Sequence, residues 1–328
     1  MELPRALRQG VDRLLEKTPL ADLQRASSLL SSRYRAELRD GRLHLDGELA
    51  VKSYLAARLP ATYAAIRASL EAAAELVPDF APKTLLDLGA GPGSALWAAH
   101  DRWPEIGDAV LVEASAAARS VGGTLCAELP AVAARWVAGD VTSGLPDLKP
   151  ADLVTLSYVL DELDPAQRGP LVDRLWALTA GILVIVEPGT PAGWQRILAA
   201  RGRLIAAGAH LVAPCPHERP CPLAPPDWCH FSRRVARSRL HRLAKGGDVP
   251  WEDEKYIFVA AARQPVQPPQ ARVIAPPRGG KGVVTLKLCK ADGGAAERTL
   301  SKRDGENFRI ARRLDWSDAV QQDFDSGS

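Results

Sequence analysis

Apolar residues recur at helical spacing through the first 80 positions, then give way to short apolar runs alternating with longer helical stretches. Leu7, Val11, Leu14 and Leu15 fall on one face, and Thr18-Pro19 reads as a cap followed by proline at the first helical position. Turns are predicted at Asp40-Gly41 and Asp46-Gly47, then a helix to about Leu59, then another with Ile66, Leu70 and Val77 on one stripe. The pattern predicts a helical cap over residues 1–80. From Pro82 the periods change: a strand ends near Asp87, and Ala109–Val112 is a buried strand ending in Glu113. A helix follows over about Ser115–Glu128, and a short strand near Trp136-Val137 ends in Gly139-Asp140. Asp152–Val159 and Gly181–Val186 are further strands, separated by a helix after Asp164-Pro165; Pro191–Ala207 is a long helix, and Lys255–Ala262 completes the sheet. Alternation of this kind predicts a parallel, doubly wound α/β sheet over residues 81–263.

The chemistry starts at Lys83–Ser94, Lys-Thr-Leu-Leu-Asp-Leu-Gly-Ala-Gly-Pro-Gly-Ser. Gly89, Gly91 and Gly93 permit positive φ and leave no Cβ where a ligand must approach the backbone. The dinucleotide fingerprint needs its third small residue one position later, where Ser94 stands. The pattern Asp-x-Gly-x-Gly-x-Gly instead resembles S-adenosylmethionine (SAM) dependent methyltransferases, which implies a Rossmann-like fold. Ligands of such sheets lie outside the carboxyl ends of the strands, and Asp87, Glu113, Asp140 and Ser157-Tyr158 occupy those ends. Asp87 is placed for a ligand amine, Glu113 for both ribose hydroxyls and Asp140 for the adenine amine. Three acids in register after successive strands predict SAM as the cofactor.

Composition limits the alternatives. The 328 residues are 46% hydrophobic and 25% charged, which fits one large globular domain with an appendage. The net charge of +3 is too small to argue for a polyanionic partner, so local clustering must carry that case. No apolar run reaches the roughly 18 residues of a membrane span, so no membrane partner is expected. Pro4, Asp12 and Glu16 break any signal-peptide core, and secretion is not expected. A monomer is expected.

Five cysteines without an export signal suggest ligands or free thiols. Cys215, Cys221 and Cys229 lie in a proline-stiffened loop, residues 214–231, and Cys289 follows the apolar run Val283–Leu288. Cys126 fits a helical pattern beside Leu125 and Leu129 and reads as a buried apolar thiol. Four thiolates match either zinc or an iron–sulfur cluster. There is no Cys-x-x-Cys knuckle, and the wide spacing suits a larger cluster; His217 and His230 keep a mixed Cys/His zinc site open. After the loop, Arg233, Arg234, Arg237, Arg239, Arg242 and Lys245 form a basic segment without an acid, expected to be helical. It reads equally as a solvated face or an RNA phosphate surface. Residues 264–270 read as a linker, 271–315 as a small β appendage, and 316–328 as a disordered tail.

Several motifs together then resemble one family: Asp-Leu-Gly-Ala-Gly-Pro-Gly-Ser, Ser-Tyr-Val-Leu-Asp-Glu-Leu, Glu-Pro-Gly-Thr-Pro, Cys-Pro-His-(x)3-Cys-Pro-Leu and Asp-Trp-Cys-His-Phe. Together with Leu59–Ala65 they resemble the methyltransferase-like small-ribosomal-subunit assembly family, over roughly residues 50–290. The resemblance implies a SAM-binding fold, a 4Fe-4S cluster and docking on the rRNA and proteins of the immature small subunit. Cys215, Cys221, Cys229 and Cys289 match the cluster ligands in order. The cluster would join the appendage to the α/β domain. Family members in eukaryotes are mitochondrial; the absence of transit features suggests a bacterial cytoplasmic relative. Methylation is not settled by the resemblance. No Asn- or Asp-Pro-Pro-Tyr motif is present, and Val159-Leu160 stand where a cytosine-5 enzyme would need its cysteine. Three functions follow: a methyltransferase or methyltransferase-like assembly factor acting on the subunit, a non-catalytic RNA-binding assembly protein, or a small-molecule methyltransferase with a structural zinc.

Overall fold

The change of period near Pro82 marks the passage from helices to sheet in the computed structural model, which describes residues 1–35, 43–142, 145, 147–245 and 249–324. Four helices come first: α1 Arg5–Leu15, α2 Leu20–Arg35, α3 Glu48–Ala57 and α4 Leu59–Ala74. Leu7, Val11 and Leu15 are buried on α1, and Ile66 and Leu70 on α4, which are the faces their spacing predicts. The turn expected at Asp40-Gly41 lies outside the described residues. Pro60 starts α4, where its fixed φ fits and its missing N–H costs nothing.

The alternating stretch runs β1 Thr84–Leu88, α5 Ser94–Arg102, β2 Asp108–Glu113, α6 Ala116–Cys126, β3 Ala133–Ala138, β4 Ala151–Ser157, α7 Pro165–Ala177, β5 Thr179–Pro188 and α8 Pro191–Ala206. Three strands and a helix follow, β6 His210–Ala213, β7 Phe231–Ala236, α9 Arg239–Lys245 and β8 Trp251–Ala262. The sheet order is β3-β2-β1-β4-β5-β8-β6, with β7 also paired to β8. The first five strands are parallel, in the order of the Rossmann fold, with the switch point between β1 and β4. β8 runs antiparallel to β5 and to β6. Two caps fix the turns that matter. Ser115 accepts from Ala118 N (3.1 Å) and donates to Leu45 O (2.7 Å), tying the helical region to the sheet. Thr190 accepts from Gly193 N (3.0 Å) just before Pro191, so α8 starts sharply after β5.

A second sheet has its own core of Val273, Leu286, Leu288, Leu300, Phe308 and Phe324. It contains β9 Ala271–Val273, β10 Arg278–Gly280, β11 Val283–Lys290, β12 Ala295–Ser301 and β13 Ala319–Val320, with α10 Gly305–Ala311 packed on it. The residues between β8 and β9 have no regular structure.

Two expectations are corrected. Residues 316–324 are not a disordered tail: β13 pairs with β9, and Phe324 is buried. Polar composition hid one apolar anchor and one short strand; residues 325–328 lie outside the described residues. The basic segment is not one helix either. Its first part is β7, whose Val235 and Phe231 are buried while Arg234 between them pairs with Asp253 on β8. Period-2 alternation was masked there by long cationic side chains.

Candidate functional site

The carboxyl ends of β1, β2, β3 and β4 open into a cleft of about 1180 Å³, large even for a small-molecule site. Asp87, Gly89, Gly91, Glu113 and Asp140 all line it. Gly93 sits behind them as the residue before α5. The three glycines have φ of 66°, 53° and 93°, the left-handed region that side chains resist. At Gly89 the constraint is also steric, since a Cβ there would lie 2.4 Å from Val159 Cγ2.

Each acid is held differently. Asp87 is buried and accepts from Thr155 Oγ1 at 2.7 Å; burial, with the nearby Glu113 charge, pushes its carboxyl up to about 7. Glu113 is braced by two backbone amides, Gly91 N to Oε2 (2.8 Å) and Ser115 N to Oε1 (2.7 Å). It links the glycine turn to the start of α6. Burial raises it above the ordinary carboxylate range, against those two donors. Asp140 accepts from Thr142 N and Oγ1, both at 2.8 Å. A ligand amine facing Asp87 would find a carboxylate short of donors, while Glu113 keeps lone pairs beyond its two amide bonds.

Beyond the acids the cleft continues past Tyr158, Pro188, Thr190 and Lys255. Tyr158 has φ 59°, unusual for an aromatic residue, and its hydroxyl donates to Glu254 Oε1 at 3.1 Å. Arg58 donates to the same carboxylate, at 3.2 and 3.5 Å. Arg58 and Glu254 carried no signal in the sequence, because one is in the turn between α3 and α4 and the other 196 positions away on β8.

The cysteine loop joins β6 to β7 and closes over a small apolar cavity between α8, β8 and β11, about 30 Å³ in volume. Cys215, Cys221, Cys229 and Cys289 all line it, as does His217. His217 Nε2 lies 3.4 Å from Cys289 Sγ. His230 does not line the cavity; its ring is stacked on Trp228 (5.1 Å) and meets the Trp316 edge (5.0 Å). Burial raises the thiols of Cys215 and Cys229, and pushes Cys289 up to about 12. Among the described residues no three metal-ligating side chains converge as ligands of one ion. The sulfurs surround the cavity instead. Cys126 is apart from them, buried on α6, and burial raises its thiol to about 11.

The basic segment is largely used by the fold. Arg234 pairs with Asp253 (2.9 Å) and stacks over Trp251, and Arg237 pairs with Glu252 (2.8 Å). Arg239 is exposed. No helix among the described residues is long and apolar enough to cross a membrane.

The pH behaviour of the cleft follows from Asp87. Between about 3.8 and 7 the folded chain keeps a proton that the unfolded chain loses, so this group's contribution to stability falls as pH rises across that window. A cationic ligand amine favours the ionised form. Affinity for such a ligand is therefore expected to fall about tenfold per unit as pH drops below 7, which titrations at pH 8 and pH 6 would read. Equal affinity at both would remove Asp87 from the ligand site.

Comparison with known proteins places this geometry in a family. Residues 48–321 match the model described as mitochondrial small ribosomal subunit Rsm22. The ribosome assembly protein METTL17, mitochondrial, of Homo sapiens is 30% identical, with 81% of this chain and 61% of that protein covered. The Rsm22-cox11 tandem protein 2, mitochondrial, of Schizosaccharomyces pombe is 24% identical, over 82% of this chain and 42% of that protein. The chain thus spans 61% and 42% of the length of these two relatives. Among solved structures, an O-methyltransferase family protein from Burkholderia thailandensis overlaps with a TM-score of 0.44 at 15% identity, covering 75% of this chain and 72% of that one. Magnesium protoporphyrin IX methyltransferase from Synechocystis overlaps at 0.42 and 14%, covering 71% and 91%. The fold is read from the strand order, and these overlaps add nothing to it.

Proposed function

The chain belongs to the mitochondrial small ribosomal subunit Rsm22 family, and from that premise we propose that it is a methyltransferase-like assembly factor of the small ribosomal subunit. It holds SAM in the cleft and a 4Fe-4S cluster on Cys215, Cys221, Cys229 and Cys289. The observation that carries the cofactor is the meeting of Asp87, Glu113 and Asp140 with the glycine turn in one cleft. The cluster is supported by the four thiols that line one small apolar cavity, with no Cys-x-x-Cys pair of the zinc type among them. By position between the two sheets the cluster is a staple.

Binding is kept ahead of methyl transfer because two of the carboxylates lining the cleft hold the fold, Glu113 accepting from two amides and Glu254 from Arg58 and Tyr158. Incubating immature small subunits with methyl-labelled SAM is expected to give tight association and no label in rRNA. Label in one nucleotide would establish transfer.

RNA contact is tested at Arg239 rather than at Arg234 or Arg237, whose reversal would also break ion pairs with β8. Arg239→Glu is expected to weaken subunit binding and reduce its salt dependence, with an unchanged melting temperature. Unaltered binding would move the RNA surface elsewhere. Retention of a small-molecule methyl acceptor with no affinity for subunits would instead favour the small-molecule enzyme.

A further inference from the structure

A guanidinium taken out of water needs an anion or a full set of acceptors. Arg201 on α8 and Arg272 on β9 are 5% and 1% exposed. Arg201 lines the cysteine cavity, and Arg272 stands opposite Cys289 in the pairing of β9 with β11. Their backbone partners are neutral carbonyls, and Arg201 also hydrogen-bonds the Cys215 side chain. Arg201 Nη2 donates to His217 O and Arg219 O, both at 2.7 Å. Arg272 donates from Nε to Pro214 O (3.0 Å) and from Nη1 to Ser317 O (2.8 Å). Arg201 Nε and Arg272 Nη2 are buried with no partner. Neither arginine forms an ion pair with a carboxylate among the described residues; Glu75 and Asp318 reach Arg272 only at longer range. Two buried cations thus face four thiols.

Charge counting gives the two cations a counterpart. A 4Fe-4S core of charge +2 on four thiolates carries −2, and so does zinc on four thiolates. Two arginines neutralise either one. We propose that Arg201 and Arg272 are charge-compensating positioning residues for the metal group held by Cys215, Cys221, Cys229 and Cys289. The inference rests on the four-cysteine reading and extends it. The same two side chains hold the loop backbone on both sides of Cys215, at Pro214, His217 and Arg219, so they present the ligands as well as balancing them. Arg272 does so from the second sheet, which makes metal loading and docking of that sheet one event.

The test uses the full chain purified without oxygen, as wild type and as Arg201→Met, Arg272→Met, Arg201→Lys and Arg272→Lys. SAM titration of the cleft checks that each variant is folded. Wild type should carry iron and sulfide, and each methionine variant should release its iron to a chelator about tenfold faster or more, the scale of a lost charged hydrogen bond. Removing a positive charge also disfavours the added electron, so the one-electron potential should become more negative, by about 59 mV for a tenfold change. The lysine variants should recover the potential more than the release rate, because charge is kept while the forked contacts to the loop are lost. Iron release and potential both unchanged, in folded methionine variants, would overturn the role of the arginines and leave the cluster reading standing. Wild type carrying zinc would overturn the cluster reading alone, with zinc release by the same variants then reading the arginines. A wild type that binds neither metal would overturn both.

Discussion

Glu113→Ala is expected to lower SAM affinity about a hundredfold while the chain stays folded. The loss has two sources. A ligand hydroxyl donating to the carboxylate contributes roughly 1.5–3 kcal/mol. The carboxylate also accepts from Gly91 N and Ser115 N, and leaving those part-buried amides without an acceptor costs about 1–3 kcal/mol more. The second term loosens the glycine turn, and so reaches beyond the ribose. Isothermal titration gives the affinity. A tenfold loss alone would mean the turn keeps its shape without the brace, and no loss would place the ribose elsewhere. Glu113→Gln separates the terms, since its amide oxygen can still accept one of the two bonds.

Cys289→Ser is expected to drop iron from about four per chain to almost none. The binding energy of a structural metal is folding energy for the elements it joins, here the loop between β6 and β7 and strand β11. The second sheet should not detach outright. Arg219 still donates to Asp292 O at 2.6 Å, Lys287 still pairs with Asp227, and Arg272 still holds Pro214 O. Protease cleavage between β8 and β9 should therefore speed up, while SAM binding in the separate cleft is unchanged. Cys126→Ser is the control, because that thiol lies on α6 away from the cavity, and its iron content should match wild type. Full iron in Cys289→Ser would exclude it as a ligand.

The five parallel strands and β8 were legible because their signals are local, whereas β6 went unread and β7 read as part of a helix. Asp87, Glu113 and Asp140 each follow an apolar run of strand length, and the doubly wound sheet brings all three into one cleft. Four cysteines could be grouped because cysteine is rare enough for its spacing to be informative. What escaped is what depends on partners distant in the chain. Arg201 and Arg272 read as an ordinary helix arginine and an ordinary strand arginine; only packing of the second sheet against α8 and β8 buries both beside the thiols. Arg234 and Arg237 read equally as a solvated face or an RNA surface, and in the fold they pair with Asp253 and Glu252 of β8. Tyr158 was noted at a strand end, but its positive φ and its bond to Glu254 belong to the assembled cleft. His217 and His230 kept a mixed Cys/His zinc site open in the sequence, and in the fold the His230 ring packs on Trp228 and Trp316 instead.

The most direct measurement is co-sedimentation of the iron-loaded, SAM-saturated chain with immature small ribosomal subunits, at low and at raised salt. An assembly factor of this kind is expected to travel with the subunit stoichiometrically, to be released as salt rises, and to bind less well once the iron is stripped. A chain fully loaded with SAM and iron that stays behind in the supernatant at low salt would contradict the proposal.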